Sequence, residues 1–179
     1  MAINTNTLIK TAILCCLVGL AYANSLHGPF EFDDWHVIPE NPSVRGPSDI
    51  PRFFTDVSAF SILPGNRDYR PLFLTSMALS WWVGNGSTWP FHVVSITLHM
   101  GCVLLVFFVL RRLLATSKAS AEVFSKEEAG WAGFLGAALF AVHPLATEAV
   151  TCISSQSIPL AAFFYLLAFT MFILNERLV

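Results

Sequence analysis

The chain has 179 residues, of which 55% are hydrophobic and 12% are charged, and its formal net charge at pH 7 is −2. Soluble domains carry about 25% charged residues, so this composition excludes that class and indicates a membrane protein. The small net charge gives no reason to expect nucleic acid as a partner. The four cysteines lie in or beside apolar runs without metal-ligand spacing, so no disulfide framework or zinc site is predicted.

The first apolar segment covers residues 8–23 and carries a single charge, on Lys10. As a helix it would be roughly 24 Å long, slightly short of the ~30 Å hydrocarbon core of a bilayer. We interpret it as a first transmembrane helix. Its end, Ala21-Tyr22-Ala23, also fits the cleavage site of a signal peptide, and that alternative stays open. Both interpretations place the residues after Ala23 on the translocated side of the membrane.

Residues 24–70 form a polar segment rich in proline and glycine, which excludes a long helix and predicts a luminal loop. Within it, Ser48-Asp49-Ile50-Pro51 predicts a short helix with a side-chain cap and a proline in its first turn. Five apolar residues of this part predict an apolar side that lies on the bilayer surface. They are Phe53, Phe54, Val57, Phe60 and Ile62.

The rest of the chain predicts a juxtamembrane or re-entrant helix and three more transmembrane helices. The juxtamembrane helix is 71–83; the transmembrane helices are 91–114, 130–153 and 158–174, with a cytoplasmic loop at 115–129. We therefore expect an all-α membrane protein with about four transmembrane helices and a long luminal first loop. In the third helix, Pro144 is expected either to kink the helix or to end it.

The distribution of charges predicts a cytoplasmic amino terminus, since cytoplasmic loops are enriched in lysine and arginine. Of the ten basic residues, Lys10, Arg111, Arg112, Lys118, Lys126 and Arg177 then lie inside. The others, Arg45, Arg52, Arg67 and Arg70, lie outside. Most of the acids also fall outside: Glu31, Asp33, Asp34, Glu40, Asp49, Asp56, Asp68 and Glu148.

The adjacent acids Asp33 and Asp34 are the first candidates for chemistry. One carboxylate could take a proton from an acceptor hydroxyl as a general base, while its neighbour positions that hydroxyl. The alternative is a solvated turn, which aspartate favours. A divalent metal held by these two acids and His36 is a further alternative, although the sequence offers no additional ligand.

Four other residues are candidates for binding a substrate. Arg70 could pair with a phosphate through two hydrogen bonds, or it could anchor the helix beside the headgroups. His92 lies near the outer end of its helix and could reach a site there. His143 and Glu148 interrupt an apolar segment, and an ionisable residue at membrane depth indicates a functional site. For His99 we expect a hydrogen bond to a neighbouring helix instead.

The order of four motifs resembles a known family. They are FDDWHVIPENPSV at 32–44, YRPL at 69–72, FHVVSITLH at 91–99 and FAVHPLATEAV at 140–150. Each motif alone is weak, but the four together resemble the amino-terminal part of the transmembrane and tetratricopeptide-repeat-containing O-mannosyltransferases. The resemblance covers residues 30 to about 160.

The resemblance implies a membrane-embedded glycosyltransferase of the GT-C type, multi-pass in the endoplasmic reticulum membrane. Such an enzyme transfers mannose from dolichyl phosphate mannose, its lipid-linked donor, to Ser or Thr hydroxyls of luminal acceptor proteins. It implies Asp33 as the catalytic base with Asp34 beside it. Arg70 and His92 would stabilise the leaving phosphate, and His143 and Glu148 would also contact the donor or substrate. No metal and no further cofactor is implied.

The chain departs from the family pattern after Glu148. The family commonly has Gly-Arg-x-Asp/Glu there, whereas this chain has Gln156 in place of the arginine and Ile158 in place of the acid. These changes favour an alternative, a non-catalytic membrane subunit that binds partners through its luminal loop. A small transporter is a third hypothesis, for which His92, Ser95 and His99 offer one short polar stripe.

Overall fold

The computed structural model describes residues 5–116 and 123–175, and these residues form helices and turns without a β-strand. The α-helices, in chain order, are α1 (Thr5–Tyr22), α2 (Asp34–Val37), α3 (Ile50–Phe53), α4 (Pro71–Gly84), α5 (Trp89–Thr116), α6 (Lys126–Ala141), α7 (Ala146–Thr151) and α8 (Ser157–Asn175). Short 3₁₀ turns connect several of them. Lys118, Arg177 and part of the predicted loop 115–129 lie outside the described residues.

Three helical segments of the described chain are long and apolar enough to cross a membrane. They are Thr5–His27, Trp89–Thr116 and Ser154–Asn175. The all-α membrane class is therefore confirmed. The predicted number of four spans is not confirmed. Helix α6 has only 16 residues, or roughly 24 Å of helix, which is shorter than the ~30 Å hydrocarbon core of a bilayer.

The region predicted as a third transmembrane helix, 130–153, is two helices. Helix α6 begins with a capping box, in which the Ser125 hydroxyl and the Glu128 carboxylate each accept a main-chain hydrogen bond from the other residue. It ends at Ala141, and α7 starts only after the His143-Pro144 turn. Pro144 thus ends the helix, since the residue before a proline disfavours helical backbone.

By its contacts the chain divides into two compact units. The first, which we call the span unit, contains the described residues 5–21, 98–116, 123–146 and 161–175. Its helices approach closely at glycines: a Cβ added at Gly133 would lie 2.9 Å from the main-chain nitrogen of Arg111. Such close approach of small residues is typical of packed membrane helices. The buried His99 ring nitrogen Nε2 is 3.1 Å from the Ala141 carbonyl at the end of α6, as expected for a helix-to-helix hydrogen bond.

The second, which we call the loop unit, contains residues 22–97 and 147–160. Its apolar core includes Phe53, Phe73 and Phe91, each at most 2% exposed, and the burial of each such side chain contributes about 1.5–3 kcal/mol. Helix α4 starts with Pro71 in its first turn and is followed by Asn85 in the left-handed conformation. The long first loop therefore folds together with α4, the first part of α5 and residues 147–160 around one core.

This core explains why the predicted apolar side of the loop is only partly at the surface. Phe53 and Phe60 are 1% and 8% exposed and belong to the core, whereas Phe54, Val57 and Ile62 are 41–50% exposed. The predicted short helix exists as α3, but its predicted side-chain cap is wrong, since no side chain caps it.

Candidate active site in the first loop

A strained turn sets the position of the two adjacent acids. Phe32 has a φ of +44° and is 87% exposed. Left-handed backbone costs a non-glycine residue roughly 1–2 kcal/mol, so the surrounding hydrogen bonds must maintain it. The Glu31 carbonyl accepts from the Asp34 amide at 2.9 Å, and the chain then enters α2. The turn therefore places Asp33 immediately before the helix and Asp34 at its first position.

Asp34 is buried and bonded on both carboxylate oxygens. It is 1% exposed; its Oδ2 accepts from the Glu31 amide at 2.9 Å, and its Oδ1 accepts from the Ser154 amide at 2.7 Å. The second bond joins residues 120 positions apart within the loop unit. A carboxylate with both oxygens bonded to main-chain amides acts as a structural clamp, because it is not accessible to a substrate hydroxyl.

Asp33 has the opposite surroundings. Its side chain is 76% exposed, and its Oδ1 lies 3.4 Å from Nε2 of His36, whose side chain is only 12% exposed. On the other side of the ring, Nδ1 lies 2.8 Å from the hydroxyl of Ser61. Asn66 Nδ2 also lies 3.3 Å from Nε2. The largely buried imidazole is thus held by Ser61 on one side. On the other side its Nε2 can either donate to the open Asp33 carboxylate or accept from Asn66, but not both.

Arg70 is partly held and partly open. Its Nε is 2.7 Å from Asp68 Oδ2, its Nη1 donates to Ser157 Oγ at 3.0 Å, and its side chain is 45% exposed. The guanidinium carbon lies 5.6 Å from the ring centroid of Phe60. Ordering of this kind reduces the entropy that Arg70 would lose on binding an anion at its exposed edge.

Gln156 is a buried hydrogen-bonding centre of the loop unit. It is 0% exposed; its Nε2 donates to the Phe91 carbonyl at 3.0 Å and to Ser95 Oγ at 2.9 Å. Its Oε1 accepts from the hydroxyl of Ser76 at 2.7 Å. The side chain is therefore satisfied within the core and leaves no donor for a substrate.

The residues around Gln156 connect the two parts of this unit. Ser154 binds Asp34, Gln156 binds α4 and α5, and Ser157 binds Arg70. Residues 154–157 consequently help to position both Asp34 and Arg70.

The His92 side chain is buried, unlike the exposed side chains of Asp33 and Arg70. It is 1% exposed, and its Nε2 lies 3.2 Å from the Gly28 carbonyl, which can only accept, so that nitrogen carries the proton. A Cβ added at Gly28 would lie 3.3 Å from the same nitrogen. This contact holds the end of the 3₁₀ turn Ala23–His27, and a contact of His92 with the donor stays a prediction.

The remaining two candidates fall in different units. His143 is exposed in the span unit, where its Nδ1 accepts from the Leu145 amide at 3.3 Å. Glu148 is exposed in the first turn of α7, in the loop unit. As for the metal alternative, residues 5–116 and 123–175 contain no cluster of three or more His, Cys, Asp or Glu side chains that could hold an ion.

Comparison with curated proteins gives matches along most of the chain. The chain is 31% identical over 172 residues to "Protein O-mannosyl-transferase Tmtc2" of Drosophila melanogaster. The aligned residues make up 93% of this chain and 17% of that protein. A Caenorhabditis elegans relative, "Protein O-mannosyl-transferase F38B6.6", is 32% identical over 169 residues, or 93% of this chain and 23% of the relative. Over this length the chain is similar to proteins named protein O-mannosyltransferases.

The similarity covers most of this chain but only a small part of each relative. A human relative, "Protein O-mannosyl-transferase TMTC4", is 31% identical over 164 residues, 89% of this chain and 21% of its own. The chain therefore spans about a fifth of the length of these relatives. No family model matches the chain, and no solved structure matches it. The family resemblance read from the four motifs is thus confirmed by whole-chain similarity.

Proposed function

We propose that this chain carries the acceptor-activating part of a protein O-mannosyltransferase, with Asp33 as the general base. The donor would be dolichyl phosphate mannose, the acceptor a Ser or Thr hydroxyl of a luminal protein, and the location the endoplasmic reticulum membrane. The names of the relatives support the transferase class. The GT-C fold and the placement of the loop unit on the luminal side belong to the same proposal.

The observation that carries the proposal is the division of roles between two neighbouring acids. Asp34 is 1% exposed with both oxygens bonded to amides, whereas the side chain of Asp33 is 76% exposed beside an imidazole that is itself 12% exposed. A solvated turn would leave both acids in water and would need no buried partner. Here one carboxylate fixes the turn, and the other is presented at its surface.

The proposed reaction is a single displacement at the anomeric carbon. The acceptor oxygen forms the new bond to C1 of mannose, and its proton passes to the Asp33 carboxylate. The bond from C1 to the phosphate oxygen breaks, and its electron pair leaves with dolichyl phosphate. Configuration at C1 inverts. His36 does not contact the sugar; it positions the carboxylate, since its ring is fixed by Ser61 on the far side.

Arg70 is proposed to stabilise the charge that develops on the leaving phosphate. It is the exposed cation held by Ser157, in the segment that also binds Asp34 through Ser154. Because Asp68 partly neutralises the guanidinium, a donor phosphate would compete with that carboxylate for Nε. Arg70→Lys keeps the charge but loses the planar pair of donors, so it should lower transfer while a mere surface anchor would tolerate it.

The experiment compares Asp33→Asn with the unchanged chain in microsomes that contain labelled dolichyl phosphate mannose. Loss of a general base typically lowers a rate by about 10²–10⁴-fold. Glu40→Gln is the matched control, since Glu40 is an exposed carboxylate of the same loop. We expect normal protein levels for both variants, transfer lost in Asp33→Asn, and transfer retained in Glu40→Gln.

Normal mannose transfer by Asp33→Asn would remove the proposed mechanism. Transfer that is absent from the unchanged chain as well would instead support the alternative, a membrane subunit that binds partners through its loop. In that case deletion of residues 45–62 should release a protein that copurifies with the unchanged chain.

A further inference from the structure

A cavity of about 360 Å³ lies within the span unit, outside the candidate active site. It is formed by the beginnings of α1 and α6 and by the last part of α5. The polar and charged residues that line it are Asn6, Thr7, Lys10, Arg111, Lys126 and Glu127. Three basic side chains therefore surround one space, with a single carboxylate among them.

Two of the basic side chains, Lys10 and Arg111, are held in place by the protein. Lys10 is 7% exposed, and its ammonium lies 3.9 Å from the ring centroid of Trp131. Arg111 Nη1 donates to Thr7 Oγ1 at 2.8 Å, which orients the guanidinium. Gly130 makes room for the lysine, since a Cβ there would lie 3.4 Å from its Nζ.

The charges around the cavity are not balanced within the described chain. The ion pairs found in residues 5–116 and 123–175 join His36 to Asp33, Arg52 to Asp56 and Arg70 to Asp68, and none involves a residue of the cavity. The cavity also adjoins the amino-terminal end of the 16-residue helix α6, where the helix dipole favours negative charge. A half-open cavity with excess positive charge suits an anion.

The location specifies the kind of anion. Two of the three candidate membrane spans have an end at this cavity, since Thr5–His27 starts there and Trp89–Thr116 finishes there. The end of a span lies at the depth of the lipid headgroups, and basic pockets between transmembrane helices bind anionic headgroups. We propose that this cavity is a binding site for the phosphate headgroup of an anionic lipid, separate from the donor site.

The experiment measures lipid retention by the purified full chain with native mass spectrometry, after reconstitution with equal amounts of phosphatidic acid and phosphatidylcholine. We expect preferential retention of phosphatidic acid. Lys126→Gln should reduce that preference about five-fold, the usual effect of one basic residue near an anionic surface. Lys126 is exposed, so this change leaves the core of the unit intact. Arg67→Gln, an exposed cation of the loop unit, should leave it unchanged.

A second variant distinguishes ligand binding from a structural role. Glu127→Gln removes the one carboxylate of the cavity, so it should strengthen retention of phosphatidic acid. A competition series with inorganic phosphate separates a lipid headgroup from a free phosphate ion. Retention that survives phosphate supports the lipid. The proposal would be overturned by equal retention of both lipids or by weaker retention in Glu127→Gln. Displacement of the lipid by inorganic phosphate at low concentration would also overturn it.

Discussion

The two adjacent acids of the first loop should respond in opposite ways to substitution. Asp34→Ala removes the acceptor of two buried main-chain amides, those of Glu31 and Ser154. A hydrogen bond to a charged group contributes about 1.5–3 kcal/mol, so the loss is about 3–6 kcal/mol if both amides stay unbonded. Total stabilities of domains are about 5–15 kcal/mol, so the loss is large. Asp33→Ala, at a largely exposed side chain, should change stability by no more than about 0.5 kcal/mol.

The assay is thermal unfolding of the purified chain in detergent, with the two variants measured side by side. For a chain of this length each kcal/mol shifts the midpoint by about 2–4 °C, so Asp34→Ala should lower it by at least ~6 °C. Hydrogen exchange should show faster exchange of the Ser154 amide in Asp34→Ala only. If Asp33→Ala lowers the midpoint as much as Asp34→Ala, the assignment of clamp and base to these two acids is wrong.

Three further predictions concern the cores of the two units and the charge pairs of the loop. Gln156→Leu should lower the free energy of unfolding by about 1–3 kcal/mol, because the buried Phe91 carbonyl loses its side-chain donor. An unchanged midpoint of thermal unfolding would contradict this. Gly133→Ala should lower the free energy of unfolding by about 1–3 kcal/mol through overpacking. Gly19→Ala, whose added Cβ would lie in open space, should raise it by up to about 1 kcal/mol. A more stable Gly133→Ala than Gly19→Ala would refute the packing. Hydrogen bonds from Ser58, and then the ion pair with Arg52, lower the pKa of Asp56 to about 2. The ionised Asp56 carboxylate therefore stabilises the folded chain fully above about pH 4, and this stabilisation is lost as the pH falls through about 2. The stability difference between the unchanged chain and Asp56→Asn at pH 7 should therefore disappear near pH 2, and a difference independent of pH would contradict it.

Apolar runs were sufficient to predict the membrane helices that meet the length requirement. Periodicity and length identify α5 and α8 directly, because a long apolar helix is a local property of the sequence. The end of α6 was the ambiguous case, since a proline can either kink a membrane helix or stop it. The sequence also did not reveal the core of the loop unit, because that core depends on contacts among Phe53, Phe73 and Phe91, which lie far apart in the sequence.

The candidate site was predictable only in part. The aspartate pair and the arginine could be selected from their residue types, but nothing local distinguishes a buried Asp34 from an exposed Asp33. Their partners come from far along the chain: Ser154 is 120 residues from Asp34, and Ser157 is 87 residues from Arg70. The role of His36 depends likewise on Ser61, 25 residues away. Only the folded loop unit brings these groups together.

The most direct test of Asp33 as the base is exchange of a segment with a longer relative. Residues 30–160 of this chain would replace the matching segment of the Drosophila relative, and mannose transfer from dolichyl phosphate mannose would be measured. The account predicts transfer by the exchanged protein, loss by about 10²-fold or more with Asp33→Asn, and retention with Glu40→Gln. Full transfer with Asp33→Asn in an otherwise active exchanged protein would contradict it.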